Sequence, residues 1–256
     1  MANYSKYFIA ALVSLGMMAG ATLIILEDGN AQWRMTPTFS AGRVHFTVRH
    51  WNTFGDWSSS RDVSLDNFRG FSLSMLASPG PAKFEYVADA GRLICEGRFL
   101  LGAGSGSYTF VPDHAFVAAL QQMGYNAPDD EQLFSMLMMD INREFARDVR
   151  DAGLHASTRD LVQLKMHGVD LNYIRETRQA GYENFSAGDY VQLRTHGVQP
   201  DFVQVANRLG YHFTAADLTQ MTTHGVDSGY LKRLKDAGMR NLKASEIAQL
   251  RMHGVD

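Results

Sequence analysis

The tripeptide His-Gly-Val stands at 167–169, 196–198, 224–226 and 253–255, each time at the same point of a longer pattern that fills the C-terminal half. Self-similarity at 28 to 29 residues means supersecondary units too small to bury their own apolar faces, so neighbouring units must supply the core. The unit from Ser157 to Gly181 reads as helix, tight turn, helix. Ser157 is an N-cap with Asp160 three places on, the acidic form of a capping box, and Leu161 and Leu164 mark one face. His167 closes the first helix, Gly168 is the left-handed residue after it, and Asp170 caps the second helix, where Tyr173, Ile174 and Thr177 turn inward.

The frame recurs from Ser186 and from Thr214, and a last copy stops at Asp256 before any second helix. Reading backward, Asp129 and Leu133 hold matching places, Met139 takes the histidine's slot, and the array begins near Asp113. The inward aromatics Phe116, Phe145, Tyr173, Phe202 and Tyr230 are spaced alternately by 29 and 28. The extra residue always falls between a helix-ending glycine and the next N-cap, so the predicted super-period is 57. Phe185 with Tyr190 is placed to form a hydrophobic staple at one such entry.

From about Arg43 to Val111 the periodicity becomes two. Val44, Phe46 and Val48 alternate with polar residues, and 83–87, 92–101 and 107–111 are further strands, with a hairpin turn at Asp89-Ala90-Gly91. The glycine run 102–106 predicts a loop joining the last two strands, and 66–76 an irregular or briefly helical crossover. The expected fold is α+β: a small antiparallel β domain of four to six strands at 32–112, followed at 113–256 by an α-solenoid of short helical hairpins. No Pro- or Ser-rich linker separates the two, so they should pack together.

Ahead of both, Lys6 precedes an uncharged run from Tyr7 to Leu26, and Gly29 and Ala31 fit cleavage before Gln32. Residues 1–31 read as a signal peptide or as a single membrane anchor, since twenty residues at ~1.5 Å each span ~30 Å of hydrocarbon. Both readings make the remainder extracytoplasmic: periplasmic, secreted or anchored to the inner membrane.

Net charge is −3, and 15 Lys/Arg face 19 Asp/Glu from residue 113 onward, which argues against nucleic acid as a partner. The single Cys95 excludes a disulfide framework and a cysteine zinc site and reads as a strand core residue. The histidines invite a metal reading. Yet equivalent helices pack ~8 to 10 Å apart, whereas two nitrogens on one zinc each need ~2.0 to 2.1 Å. Met139, His167, His196, His224 and His253 are therefore read as structural positions, with no metal or cofactor expected. The glycine run lacks the Lys-Ser/Thr of a phosphate loop.

Two surfaces could bind. Trp51, Phe54 and Trp57 cluster around Asp56 in RHWNTFGDW, suited to a glycan or a protein, or else to covering one end of the sheet. Arg147, Arg150, Arg175, Arg178, Lys232 and Lys235 would rim the helical stack. No HExxH and no locally signed Ser-His-Asp set is present, so no catalytic residue is assigned.

The frame S-x-x-D-L-x-x-L-K/R-x-H-G-V-D-x-x-Y-I/V, most complete from Ser157 to Tyr182, resembles tandem repeats of uncharacterised exported bacterial proteins. It is similar to the extracytoplasmic repeats of some antirepressor-type membrane metallopeptidases that sense beta-lactams. The likeness covers about 113–256, and without HExxH the peptidase activity does not carry over; it implies only sensing or docking. The expected function is a non-enzymatic, extracytoplasmic scaffold of the bacterial envelope for protein interaction or ligand sensing. The alternative is an envelope hydrolase or glycan-binding protein with its site in the β domain near Trp51 and Trp57.

Overall fold

The computed structural model describes residues 31–52 and 55–255, the side chains of 51–57 excepted. Seven antiparallel strands form one sheet: β1 Ala31–Pro37, β2 Arg43–Asn52, β3 Gly55–Ser64, β4 Phe68–Arg69, β5 Gly80–Ala88, β6 Gly91–Leu100 and β7 Ala103–Pro112. Their order is β3-β2-β1-β7-β6-β5-β4, two meanders joined through the β1–β7 pair. A short helix, α1 (Leu73–Ala77), packs on β6. Alternation puts Trp33 and Met35, Val44, Phe46 and Val48, and Ala82, Phe84 and Tyr86 on the inner face. The sheet curls on itself: the Phe46 ring of β2 lies 5.3 Å from Phe68 of β4 and 5.5 Å from Tyr86 of β5.

The sheet has more strands than the sequence pattern predicts, and of the glycine run only Gly102 lies in the turn before β7. Gly104, Ser105 and Gly106 are strand residues, paired on one side with Phe99, Arg98 and Gly97 and on the other with Met35, Arg34 and Trp33. A Cβ at Gly104 would sit 2.5 Å from the Phe99 ring, and one at Gly106 only 1.9 Å from the Glu96 carbonyl. Glycine here lets rings and backbones approach. Cys95 is buried in β6, where desolvation pushes its thiol pKa upward.

Ten helices of nine residues each follow: α2 His114–Gln122, α3 Asp130–Met138, α4 Arg143–Asp151, α5 Thr158–Met166, α6 Leu171–Gln179, α7 Ala187–Thr195, α8 Pro200–Arg208, α9 Ala215–Thr223, α10 Ser228–Asp236 and α11 Ala244–Met252. All but α8 and α11 are capped by the side chain of the residue before them. Ser157, Ser186 and Thr214 close reciprocal capping boxes with Asp160, Asp189 and Asp217. At Lys243 only the bond in which its backbone N–H donates to the Glu246 carboxylate can form, because an ammonium accepts nothing. The Phe185 ring meets Tyr190 at 6.1 Å, as a staple requires.

Odd-numbered helices from α3 to α11 pack on one another in sequence, as do α2 with α4, α6 with α8 and α8 with α10. One apolar core runs from Trp33 in the sheet to Ile247 in α11. The join is made by Phe134 of α3, whose ring stacks on Tyr108 at 5.9 Å and contacts Phe110 and His50. Asp89 in the β5–β6 turn accepts from the Arg143 backbone N–H at 2.8 Å and pairs with its guanidinium at 3.2 Å. Among the described residues no helix is long and apolar enough to cross a membrane, and the expected export segment, 1–31, lies outside them but for Ala31, which opens β1.

Candidate functional site

The basic residues expected at the rim of the helices separate into two sets by their distance from the inward aromatic. Two residues beyond it stand Arg147, Arg175 and Lys232, all exposed, with Gln204 in the equivalent place on α8. Five residues beyond it stand Arg150, Arg178, Asn207 and Lys235. Asn207 Nδ2 donates to the Ala180 carbonyl at 2.8 Å and Lys235 Nζ to the Leu209 carbonyl at 3.4 Å, each the C-cap of the preceding even helix. Arg178 lies beside Gly153 just past α4 and donates to the Glu183 carbonyl at 2.6 Å. A cation there meets the negative end of a helix dipole. Lys235 thus ties α10 to the end of α8, Arg178 is held by the loop after its own helix, Arg150 is drawn to Asp151 at 2.7 Å, and Arg147, Arg175 and Lys232 stay exposed.

The histidines are C-caps: His167, His196, His224 and His253 end α5, α7, α9 and α11, and Met139 ends α3. Their backbone N–H groups bond helix carbonyls, while the rings of His167, His196 and His253 are exposed. His167 Nδ1 meets Thr195 Oγ1 of the next odd helix at 3.1 Å. Among the described residues no cluster of three or more His, Cys, Asp or Glu could hold a metal ion. In the β2–β3 hairpin, register pairs Trp51 with Asp56 and His50 with Trp57, so the two tryptophans are not cross-strand partners. Phe54 lies outside the described residues.

The β2–β3 pair also assembles a set that no local motif announces. Asp62 Oδ1 lies 2.8 Å from His45 Nδ1, and His45 Nε2 lies 2.8 Å from Ser60 Oγ. Hydrogen bonds from His45 and then Thr38 hold the Asp62 carboxyl below its usual range. It stays ionised and acceptor-only, so a neutral His45 carries its proton on Nδ1 and accepts the Ser60 hydroxyl proton at Nε2. Thr47 Oγ1 is 2.7 Å from the Ser60 oxygen and completes the chain. The order is that of a nucleophile, base and orienting acid. The setting is open: Ser60 is exposed, and the His45 and Asp62 side chains are 43% and 38% exposed, so water screens them. The set follows from register alone, since His45 opposes Asp62 and Thr47 opposes Ser60; a sequence in which β3 goes unrecognised cannot reveal it.

No protein-family model matches the chain, and no curated protein matches it.

Proposed function

We propose that the chain is a non-enzymatic interaction or ligand-sensing scaffold of the bacterial envelope, in which α2–α11 form a solenoid of helical hairpins that docks a protein or an envelope ligand on its exposed basic row. Repetition of specific bonds at 57 residues supports the solenoid. Tyr173 donates to the Val198 carbonyl and Tyr230 to the Val255 carbonyl, both at 2.7 Å. Arg194 and Arg251 lie over those same rings at 5.2 and 5.0 Å while bonding the Gly168 and Gly225 carbonyls. The docking role rests on one observation: at equivalent helix positions Arg147, Arg175 and Lys232 are exposed, whereas the basic residues one turn on are engaged in intramolecular bonds. Charge that recurs in register on a rigid stack suits an extended acidic partner. Placement outside the cytoplasm rests on the apolar run 7–26 and on the likeness to exported repeats. The acidic balance leaves nucleic acid aside, and the reading requires no cofactor.

The alternative, an envelope hydrolase with its site in the β domain, draws support from the Ser60–His45–Asp62 chain rather than from Trp51 and Trp57. One comparison separates the two readings. Full-length protein and a variant with Arg147, Arg175 and Lys232 changed to Glu are cross-linked in an envelope fraction, and both are assayed with p-nitrophenyl acetate. Scaffolding requires that the charge-reversed variant lose its cross-linked partner at unchanged melting temperature, and that a Ser60→Ala variant hydrolyse the ester no more slowly than the full-length protein. Partner capture that ignores the reversal, or turnover abolished by Ser60→Ala, defeats the scaffold reading, and the second outcome establishes the hydrolase.

A further inference from the structure

Where the curled sheet brings the outer edge of β3 up to β4 and β5, a polar cleft of about 280 Å³ opens, lined by Arg43, Arg61, Ser64, Asn67, Tyr86 and Asp140 among others. β3 ends the sheet. Leu65 N–H bonds the Gly42 carbonyl at 2.9 Å, which by antiparallel alternation leaves the backbone groups of Asp62 and Ser64 turned to the free edge. Arg43 reaches round that edge, its guanidinium donating to the Asp62 carbonyl at 2.5 Å.

Arg61 enters from the inner face. It is half-buried, lies 6.0 Å from the Tyr86 ring centroid and donates to the Tyr86 hydroxyl. Among the described residues Arg61 forms no ion pair. The nearest acid in sequence, Asp62, spends its carboxylate on His45 and Thr38 across the sheet. A guanidinium carries five donors in a flat fork, and a partly desolvated one with no carboxylate in ion-pair contact is unfavourable. Tyr86 is 1% exposed, and having accepted from Arg61 it keeps its own proton to donate. Burial raises the Tyr86 pKa, so that proton is present at neutral pH. Asp140, at φ +54 in the α3–α4 turn, sets one negative charge against the two guanidinium groups.

We infer that this cleft is a binding site for a small oxyanion, a carboxylate or phosphate group, held in the fork of Arg61 with the Tyr86 hydroxyl as second donor. The inference is independent of the docking role given to the helical stack, because it uses none of the residues of the basic row. Asp140 belongs to the helical part, so an occupied cleft would be felt at the α3–α4 turn.

Titration calorimetry of the full chain at low ionic strength tests it, with sodium succinate in one arm and inorganic phosphate in the other. Saturable one-site binding is expected in at least one arm, and the arm that responds identifies the group. Arg61→Gln should weaken it by about tenfold or more, as loss of a charge-assisted pair does. Tyr86→Phe should weaken it by about threefold to tenfold, and it serves as the deciding variant if Arg61→Gln does not fold. Asp140→Asn should tighten binding severalfold, because it removes the opposing charge. Absence of saturation in both arms, affinity unchanged in a folded Arg61→Gln or in Tyr86→Phe, or weaker binding by Asp140→Asn overturns the proposal.

Discussion

A missing methyl group decides how the centre of the sheet is built. Gly97 of β6 faces Gly106 of β7, and a Cβ on either would collide with backbone, 2.1 Å from the Ser105 carbonyl or 1.9 Å from that of Glu96. Backbone cannot rotate aside as a side chain can. Gly106→Ala should therefore cost about 3 kcal/mol, the upper end for overpacking. Gly102→Ala, at φ +82 with open space around it, should cost only the left-handed strain of about 1 kcal/mol. Urea denaturation of the two variants checks the ranking, and equal losses would mean the strands can separate at Gly106. This close approach also explains why 102–106 reads as a loop in sequence: glycine has no apolar alternation, and the reason for it lies in strands β1 and β6. Ser60, His45 and Asp62 are hidden for the same reason. Their proximity is a property of register, and β3, GDWSSSRDVS, is too polar on both faces to show a period of two.

Single helices here are at the limit of what can form. Nine residues fall below the ~12 to 15 at which an isolated helix becomes even marginal in water, so caps and neighbours supply the stability. Those are local signals, and the sequence displays them: Ser157, Ser186, Thr214, Asp129 and Asp170 are N-caps where expected, and the histidines end their helices. What escapes a local reading is the bond between units, such as Tyr173 to the Val198 carbonyl at 2.7 Å. Desolvation pushes the Tyr173 hydroxyl up to about 12, with Arg194 opposing, and pushes Tyr125 up to about 12 as well. An unfolded tyrosine titrates near ~10. The folded pKa is raised, so this stabilisation is complete below pH ~10 and is lost as pH rises toward about 12, on the order of 2 to 3 kcal/mol for each tyrosine. Tyr173→Phe should cost about 1 kcal/mol at pH 8 through the lost hydrogen bond, and the deficit should shrink above pH ~10. Guanidinium unfolding at both pH values measures it; a deficit that stays constant would place the hydroxyl in water.

The sheet and the helices share one core, so the described residues of the two are expected to unfold together. The sequence hints at this only through the lack of a linker; the contact itself depends on Phe134, which the repeat pattern does not mark as special. In α3 that ring leaves the helical stack and lies against Tyr108, Phe110 and His50 of the sheet. Strands β6 and β7 are the ones it covers, together with the rest of α3. Phe134→Ala removes the ring that α3 sets against the sheet and should cost about 3 to 5 kcal/mol, the range for a buried aromatic. Because the core is continuous, that loss should appear as one cooperative transition shifted as a whole, with amide protection in β6 and β7 falling alongside that in α3 and α5. Hydrogen exchange read by mass spectrometry gives both regions in one experiment. Two separate transitions, with the strands keeping full protection while the helices lose theirs, would show that the sheet is stable without the stack and that Phe134 is only a surface contact between independent domains.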